Sequence, residues 1–284
     1  MDSSSRPFAV VTDSTSDIAP AVASERGITV VPLQVTFGEE SIADQVLTQE
    51  EFFSRMAAAP ALPTTSQPSV GAFVETYERL LATADQVLSV HISDKLSGTM
   101  SAARQAAERF EGKVHVFDSL NLSGGLALQV YDAARSAVEG LDLTETVARL
   151  EKTRSRVKMI VGLDSLDNLA RGGRIGKVSA LLGSMLNLKV TLTVDAEGSF
   201  QPVARSRGEK AALAHTLEWV DQQMGGARSA VFAVGHALSA ERALRLRDSL
   251  MERYDVTEMH LYEAGSVISA HTGTGWGVAL LPAE

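Results

Sequence analysis

Four polar segments of the chain set hydroxyl, carboxylate and imidazole groups where apolar runs give way to helical patterns. Asp13-Ser14-Thr15-Ser16-Asp17 directly follows the apolar run Phe8–Thr12, at the strand end where open α/β sheets place ligands. Pro63-Thr64-Thr65-Ser66-Gln67-Pro68-Ser69 carries its hydroxyls on a stretch that two prolines keep extended. Ser69 suits a helix N-cap, which accounts for one of those hydroxyls only. Ser93-Asp94-Lys95-Leu96-Ser97-Gly98-Thr99 puts Ser97 at a helix entrance, where free N–H groups and the positive end of the dipole favour an anion. Gly98 there lets a ligand approach the backbone. His271-Thr272-Gly273-Thr274-Gly275 adds a titratable ring beside glycines. Brought together, such donors can satisfy one carboxylate or phosphate. Each also has a plainer use: Ser16, Asp17 and Ser97 as helix caps, His271 as a structural histidine.

The same residues admit a second chemistry. Ser97 as nucleophile and His271 as base would hydrolyse a lipid or acyl ester, given a third group such as Asp13 to orient the ring. The Gly-x-Ser-x-Gly elbow of the commonest serine hydrolases is absent. A small-anion or phosphosugar binder is a third use of the same helix ends. Gly172-Gly173-Arg174-Ile175-Gly176-Lys177 departs from phosphate-loop spacing, and Val178 stands where Ser or Thr would follow the lysine. Gly273-Thr274-Gly275-Trp276-Gly277 is one residue short of a dinucleotide fingerprint. The histidines (His91, His115, His215, His236, His260, His271) lack metalloprotease spacing, so neither a metal nor a cofactor is expected. Arg171-Gly172-Gly173-Arg174, with Arg205 and Arg207 further on, suits either a solvated loop or an anionic partner or substrate group.

The 284 residues include 35 acidic and 26 basic side chains, a net charge of −9. That balance lacks the field that gathers phosphate backbones, so no nucleic-acid partner is expected, and the acidic surface favours a monomer. No cysteine is present, which excludes disulfides, thiolate catalysis and thiolate metal sites and fits a reducing compartment. No apolar run approaches the length of about 18–20 residues that crosses a bilayer. The start Met1-Asp2-Ser3-Ser4-Ser5-Arg6 does not read as a signal peptide, and Asp13 breaks the apolar stretch after it. A cytoplasmic location is therefore expected.

The positioning elements follow from alternation. Phe8–Thr12, Ile28–Phe37, Val87–Ile92 and Val114–Phe117 predict strands; Thr48–Ala59, Ser69–Leu81, Gly98–Phe110, Leu122–Val138 and Thr144–Arg156 predict helices. Thr48 with Glu51 forms a capping-box pattern. Strands alternating with helices imply a doubly wound parallel sheet, over residues 1–156. Residues 157–284 read differently. Leu188–Val194 and Phe200–Arg205 predict a hairpin, and strands at Met159–Leu163, Ala230–Val234, His260–Tyr262 and Gly277–Leu281 join helices at Glu209–Met224 and Ala240–Tyr254. A mixed-sheet α/β domain with helices on one face is expected, with a ligand between the two domains.

Together these segments resemble the DegV family, the fatty-acid-binding subunits of bacterial fatty acid kinase. The resemblance rests on Thr12-Asp13-Ser14-Thr15-Ser16-Asp17, Thr65-Ser66-Gln67-Pro68-Ser69, Leu96-Ser97-Gly98-Thr99, Arg171-Gly172-Gly173-Arg174-Ile175, Asn187-Leu188-Lys189 and the His271 glycine segment, spread over nearly the whole chain. It implies a two-domain α/β protein that is not itself an enzyme. Such a protein holds one long-chain, palmitate-like fatty acid in an internal tunnel and presents the carboxylate to a separate ATP-dependent kinase subunit. It also implies that Thr65, Ser97 and His271 grip the carboxylate, with Ser14, Ser66, Gly98 and Gly273 as further lining. The Arg171 and Arg174 loop and Arg205 would face the kinase, and a transient contact with a membrane surface would fit a lipid carrier. Lys189-Val190, Gly273-Thr274-Gly275 and Met100 depart from the family's frequent Lys-Pro, Gly-Pro-Gly and Tyr.

Overall fold

The computed structural model describes residues 7–181 and 188–283. Residues 1–6 and Asn187, used in the sequence reading, lie outside them. The first half runs β1 (Ala9–Asp13), α1 (Pro20–Arg26), β2 (Ile28–Val31), β3 (Gln34–Phe37), β4 (Glu40–Ala43), α2 (Gln49–Ala58), β5 (Thr64–Ser66), α3 (Val70–Leu81), β6 (Val87–His91), α4 (Thr99–Ala107), β7 (Val114–Asp118), α5 (Ser123–Glu139) and α6 (Leu143–Arg156). The second runs β8 (Lys158–Leu163), α7 (Asp167–Arg171), β9 (Leu188–Val194), β10 (Phe200–Arg207), α8 (Glu209–Met224), β11 (Ser229–Ala237), α9 (Ala240–Arg253), β12 (Asp255–Glu263), α10 (Ser266–Thr272) and β13 (Gly275–Pro282).

Side-chain alternation builds the layers. On β1, Val10 joins the apolar cluster that contains α5, while Val11 joins the one that contains α3 and α4. β1 lies between β2 and β6 in a four-stranded, all-parallel sheet of order β2-β1-β6-β7. Its strand order reverses at β1 and β6, so the loops after those two strands splay apart and open a crevice. The second sheet is mixed, of order β10-β9-β8-β13-β11-β12, with β11 and β12 parallel and the other pairs antiparallel. The predicted hairpin is β9–β10.

Helices α8 and α9 pack on one face of the mixed sheet, and α5 covers the other while also touching β1 and β6. One helix thus lies between the two larger sheets. Its sequence allows this: Gly124, Gly125, Ala127, Ala133, Ala134 and Ala137 give it small side chains on several sides, and nearly every residue from Ser123 to Ala137 is buried. The same apolar cluster runs from Phe8 to Ala279, across the 156/157 position.

One expected strand divides. Ile28–Phe37 is two strands in two sheets, because Pro32 has no N–H for a ladder and Leu33 turns its N–H to Ser14 Oγ at 3.0 Å. The freed strand β3 pairs antiparallel with β4 and β5 in a small third sheet. Thr48 caps α2 in a complete capping box with Glu51. Among the described residues no helix is long and apolar enough to cross a membrane.

Candidate functional site

The loops that splay from β1 and β6 meet β5 and α10 around one cavity of about 40 Å³. Thr65, Ser97, His271 and Arg174 contribute its polar wall, and Leu96, Ile268 and others its apolar wall. Thr65 reaches the cavity through strand alternation: it is half-buried while its neighbours Thr64 and Ser66 on β5 are exposed. Thr65 Oγ1 lies 2.8 Å from His271 Nε2. Ser97 sits just before α4, its Oγ 2.8 Å from Thr99 Oγ1 and 3.3 Å from Thr99 N. Both hydroxyls keep lone-pair and donor capacity for a further partner.

His271 stands on the last turn of α10, not on a loop. Burial and the nearby Arg174 guanidinium push its pKa down to about 4, so the ring is neutral at pH 7. Its Nδ1 is buried and has no hydrogen-bond partner. Gly172 packs against that atom: a Cβ there would stand 2.3 Å from Nδ1. Arg174 clasps two loops at the rim, donating from Nη1 to Gly172 O at 2.8 Å and from Nε to Leu96 O at 3.3 Å.

Two buried acids hold the helix that carries His271. Asp17 Oδ1 accepts the Gly265 N–H at 2.8 Å, and Asp44 Oδ1 accepts the Val267 N–H at 3.0 Å. These are N–H groups that a helix start leaves without partners. Burial raises both carboxyls, Asp17 well above the usual range and Asp44 to about 6. A third buried acid fixes the crevice. Asp13 Oδ2 accepts Ile92 N–H at 3.0 Å and Oδ1 takes Thr15 N–H at 3.0 Å, so one carboxylate ties the two splayed loops.

The other expected lining residues have different neighbours. Ser14 is buried behind the wall, its hydroxyl engaged by Leu33, and Thr15 is the residue of that segment which lines the cavity. Ser66 faces outward. Gly98 makes room for Gln67, whose Oε1 would lie 2.0 Å from a Cβ there. Gly273 ends α10 with φ +66°, a turn that suits glycine. Arg171 and Arg205 are exposed and absent from the cavity wall, whereas Arg174 belongs to it. Lys189 is held by Asp164 at 2.7 Å, and Thr274 Oγ1 donates to the same carboxylate at 2.5 Å, a bond that a proline there could not make.

No Ser–His–Asp relay is assembled at the cavity among the described residues. Ser97 pairs with Thr99, and Asp13 pairs with His91 Nδ1 at 2.9 Å, not with His271. A relay of triad-like distances does exist, Asp13–His91–Ser89 with His91 Nε2 2.6 Å from Ser89 Oγ, but all three residues are wholly buried. It closes on Tyr77 Oη at 2.8 Å and serves as a brace. Among the described residues no group of three or more His, Asp or Glu side chains could hold a metal ion.

A second chamber adjoins the cavity on its inner side. Leu122, Ile268 and Thr272 line both the cavity and this apolar chamber of about 30 Å³ between α5 and the mixed sheet. Met159, Val161 and Leu163 of β8 and Gly275 and Gly277 of β13 contribute to that chamber. Tyr262, His236 and Ala264 separate it from an outer groove of about 490 Å³.

The α/β scaffold thus brings Thr65, Ser97, His271 and Arg174 to one cavity that shares part of its wall with an inner apolar chamber. The chain belongs to the DegV family, whose family model, described as one of uncharacterised proteins, matches residues 7–283. A DegV domain-containing protein of Deinococcus radiodurans is 40% identical over 280 residues, covering 97% of this chain and 98% of the relative. The solved structure described as fatty acid binding of a DegV family protein from Thermus thermophilus superposes with a TM-score of 0.93 at 35% identity, covering 98% of this chain and 100% of that one. DegV from Bacillus subtilis, described as a fatty acid binding protein, gives 0.88 at 31% identity over 98% of this chain and 100% of its own.

Proposed function

We propose that the protein binds one long-chain, palmitate-like fatty acid, with its carboxylate between Thr65, Ser97 and His271 and its acyl chain in the passage toward Tyr262. The observation that carries this reading is that a polar cavity and an inner apolar chamber share a wall. Thr65, Ser97, His271 and Arg174 line the first, and Leu122, Ile268 and Thr272 stand between it and a chamber lined by aliphatic side chains and glycines.

The energetics divide between tail and head. About 15 apolar carbons at about 0.8 kcal/mol each give a gross gain near 12 kcal/mol on burial, from which lost freedom subtracts several. At about 40 and 30 Å³ the two chambers have to widen for the chain to enter, and the flexible Met159 is one wall side chain able to move. A carboxylate taken out of water without partners would be strongly penalised. Two hydroxyls, the His271 imidazole on its Nε2 side beside Thr65, and the Arg174 guanidinium at the rim offset that cost. A carboxylate there would in turn favour the protonated form of His271.

The rim is also where a carboxylate oxygen stays reachable. The finer reading is that a separate ATP-dependent kinase subunit phosphorylates it there to an acyl phosphate. Exposed Arg171 and Arg205 would face that partner, and this chain would supply no catalytic group. The setting proposed is the cytoplasm, as a monomer with transient contact at a membrane surface. The division into units at 156/157 is proposed because each of the two larger sheets draws its strands from one side of it.

Isothermal titration with palmitate and with hexadecanol separates head from tail. The acid should bind at least about tenfold tighter, the effect of roughly one charge-assisted hydrogen bond. Equal affinities would contradict the headgroup assignment, and no binding of either would contradict the passage.

A further inference from the structure

The floor of the inner chamber is one row across the mixed sheet. Tyr262 on β12 pairs with Gly235 on β11, Gly235 with Gly277 on β13, and Gly277 with Val161 on β8. Neighbouring strands stand about 4.8 Å apart, so the row spans about 14 Å. Two glycines in the middle of apolar strands leave a trough where side chains would otherwise fill the space. At its far end the trough is filled by the Tyr262 ring. A Cβ on Gly235 would lie 2.2 Å from Tyr262 Cε2 and Cζ, and one on Gly124 of α5 would lie 2.7 Å from Tyr262 Oη. The ring is therefore wedged between sheet and helix, and both glycines are needed for it to lie there.

The hydroxyl locks the wedge. Tyr262 Oη accepts the Gly124 N–H at 3.1 Å and lies 3.1 Å from Ser123 Oγ, which is bonded in turn to the buried Asp17. Beyond the ring the outer groove begins, with Leu244 and Leu261 in its wall 41% and 49% exposed. Tyr262, His236 and Ala264 are the residues that chamber and groove share, and of these Tyr262 is the one whose ring occupies the trough.

We propose that Tyr262 is the end stop of the acyl passage and sets the longest chain that the protein accepts. This rests on the fatty acid reading above. The carboxylate is held at Thr65, Ser97 and His271, the chain enters the trough at Gly277, and its methyl end meets the ring that covers Gly235. A chain too long for the trough has to leave carbons at the mouth, and each methylene so excluded forfeits about a fourfold gain in affinity.

The test is a competition assay with saturated fatty acids of increasing length against a fluorescent fatty acid, on the full-length protein. Wild type should show affinity rising with length and then falling at a sharp limit. In Tyr262→Ala the passage opens into the outer groove, and the limit should move several carbons longer, with about a fourfold tighter Kd for each newly admitted methylene. Tyr262→Phe, which retains the ring, should restore the limit. Gly277→Ala is the independent check: its Cβ would meet Tyr262 Oη, Met159 Cε and Val161 Cγ1 at 3.4, 3.5 and 3.7 Å, contacts that the strand can accept. It makes the trough shallower and should move the limit to shorter chains. An unchanged limit in Gly277→Ala together with an unchanged limit in folded Tyr262→Ala overturns the end stop. If Tyr262→Ala does not fold, Gly277→Ala alone decides. Failure of wild type to bind any chain removes the fatty acid reading, and the stop with it.

Discussion

Gly172 is a position at which one added methyl group would disturb the proposed head site. Its φ of −76° is open to alanine, with the Asn168 carbonyl oxygen 3.0 Å from the added Cβ as the tight backbone contact. The new Cβ would nevertheless stand 2.3 Å from His271 Nδ1 and 2.9 Å from Cε1, whereas non-bonded atoms rest at about 3.5–4.0 Å. The imidazole has to retreat by roughly 1 Å, which stretches its 2.8 Å contact with Thr65 Oγ1 toward the limit of a hydrogen bond. A buried acceptor left short of one donor loses about 1–3 kcal/mol, so the Kd for palmitate should rise about fivefold to a hundredfold in Gly172→Ala. Calorimetric titration measures this, with thermal unfolding as the check that the fold persists. Gly71→Ala on α3 is the control, since its Cβ would meet only Ser69 Oγ at 3.6 Å. A folded Gly172→Ala protein with wild-type affinity would refute the assignment of His271 to the head site.

Ser97→Ala and Thr65→Ala should each weaken palmitate binding by about 1–3 kcal/mol, and wild-type affinity in the double variant would contradict their role. Arg174→Ala should raise the Kd severalfold because its guanidinium stands at the rim beside His271, whereas Arg171→Ala should leave binding alone and slow only acyl phosphate formation. Equal effects on binding would remove the distinction between the two arginines. Asp44 gives a pH signature. Its folded carboxyl is raised to about 6 from an ordinary 3.8. A raised acid holds more protons folded than unfolded between those values, so its contribution is full below about pH 4 and lost as pH rises through 6. Relative to Asp44→Asn, wild type should gain about 3 kcal/mol of stability between pH 7.5 and 4, at about 1.4 kcal/mol per pKa unit. A difference in denaturant unfolding energy that stays flat with pH would contradict the burial of a charged Asp44.

Elements governed by local rules were legible in the sequence. The Thr48–Glu51 capping box and the β9–β10 hairpin depend on residues a few positions apart, and both form as the pattern implies. The division of Ile28–Phe37 carried a visible signal in Pro32, but the third sheet that it feeds needs β4 and β5, whose short polar sequences lack the apolar alternation of a half-buried strand. At the site, the resemblance to the DegV family pointed to Thr65, Ser97 and His271, and the fold gathers them around one cavity. Adjacent positions were harder to tell apart: Ser14 from Thr15, and Ser66 from Thr65, differ only in which way the chain turns each side chain. Glycines were ambiguous for a related reason. Gly98 makes room for Gln67, Gly172 for His271 and Gly235 for Tyr262, and each neighbour is remote in sequence or fixed by strand pairing. Glycines within apolar strands were the available signal for the trough.

In the proposed complex a long acyl chain with an acidic head runs from Thr65, Ser97 and His271 to Tyr262. Denaturing mass spectrometry of protein purified from cells tests it most directly, because a ligand buried at this depth should survive purification and leave only when the fold is lost. One long-chain fatty acid per chain is expected, reduced in the Thr65→Ala, Ser97→Ala double variant. Protein that carries no lipid, and that takes up none when offered palmitate, would contradict it.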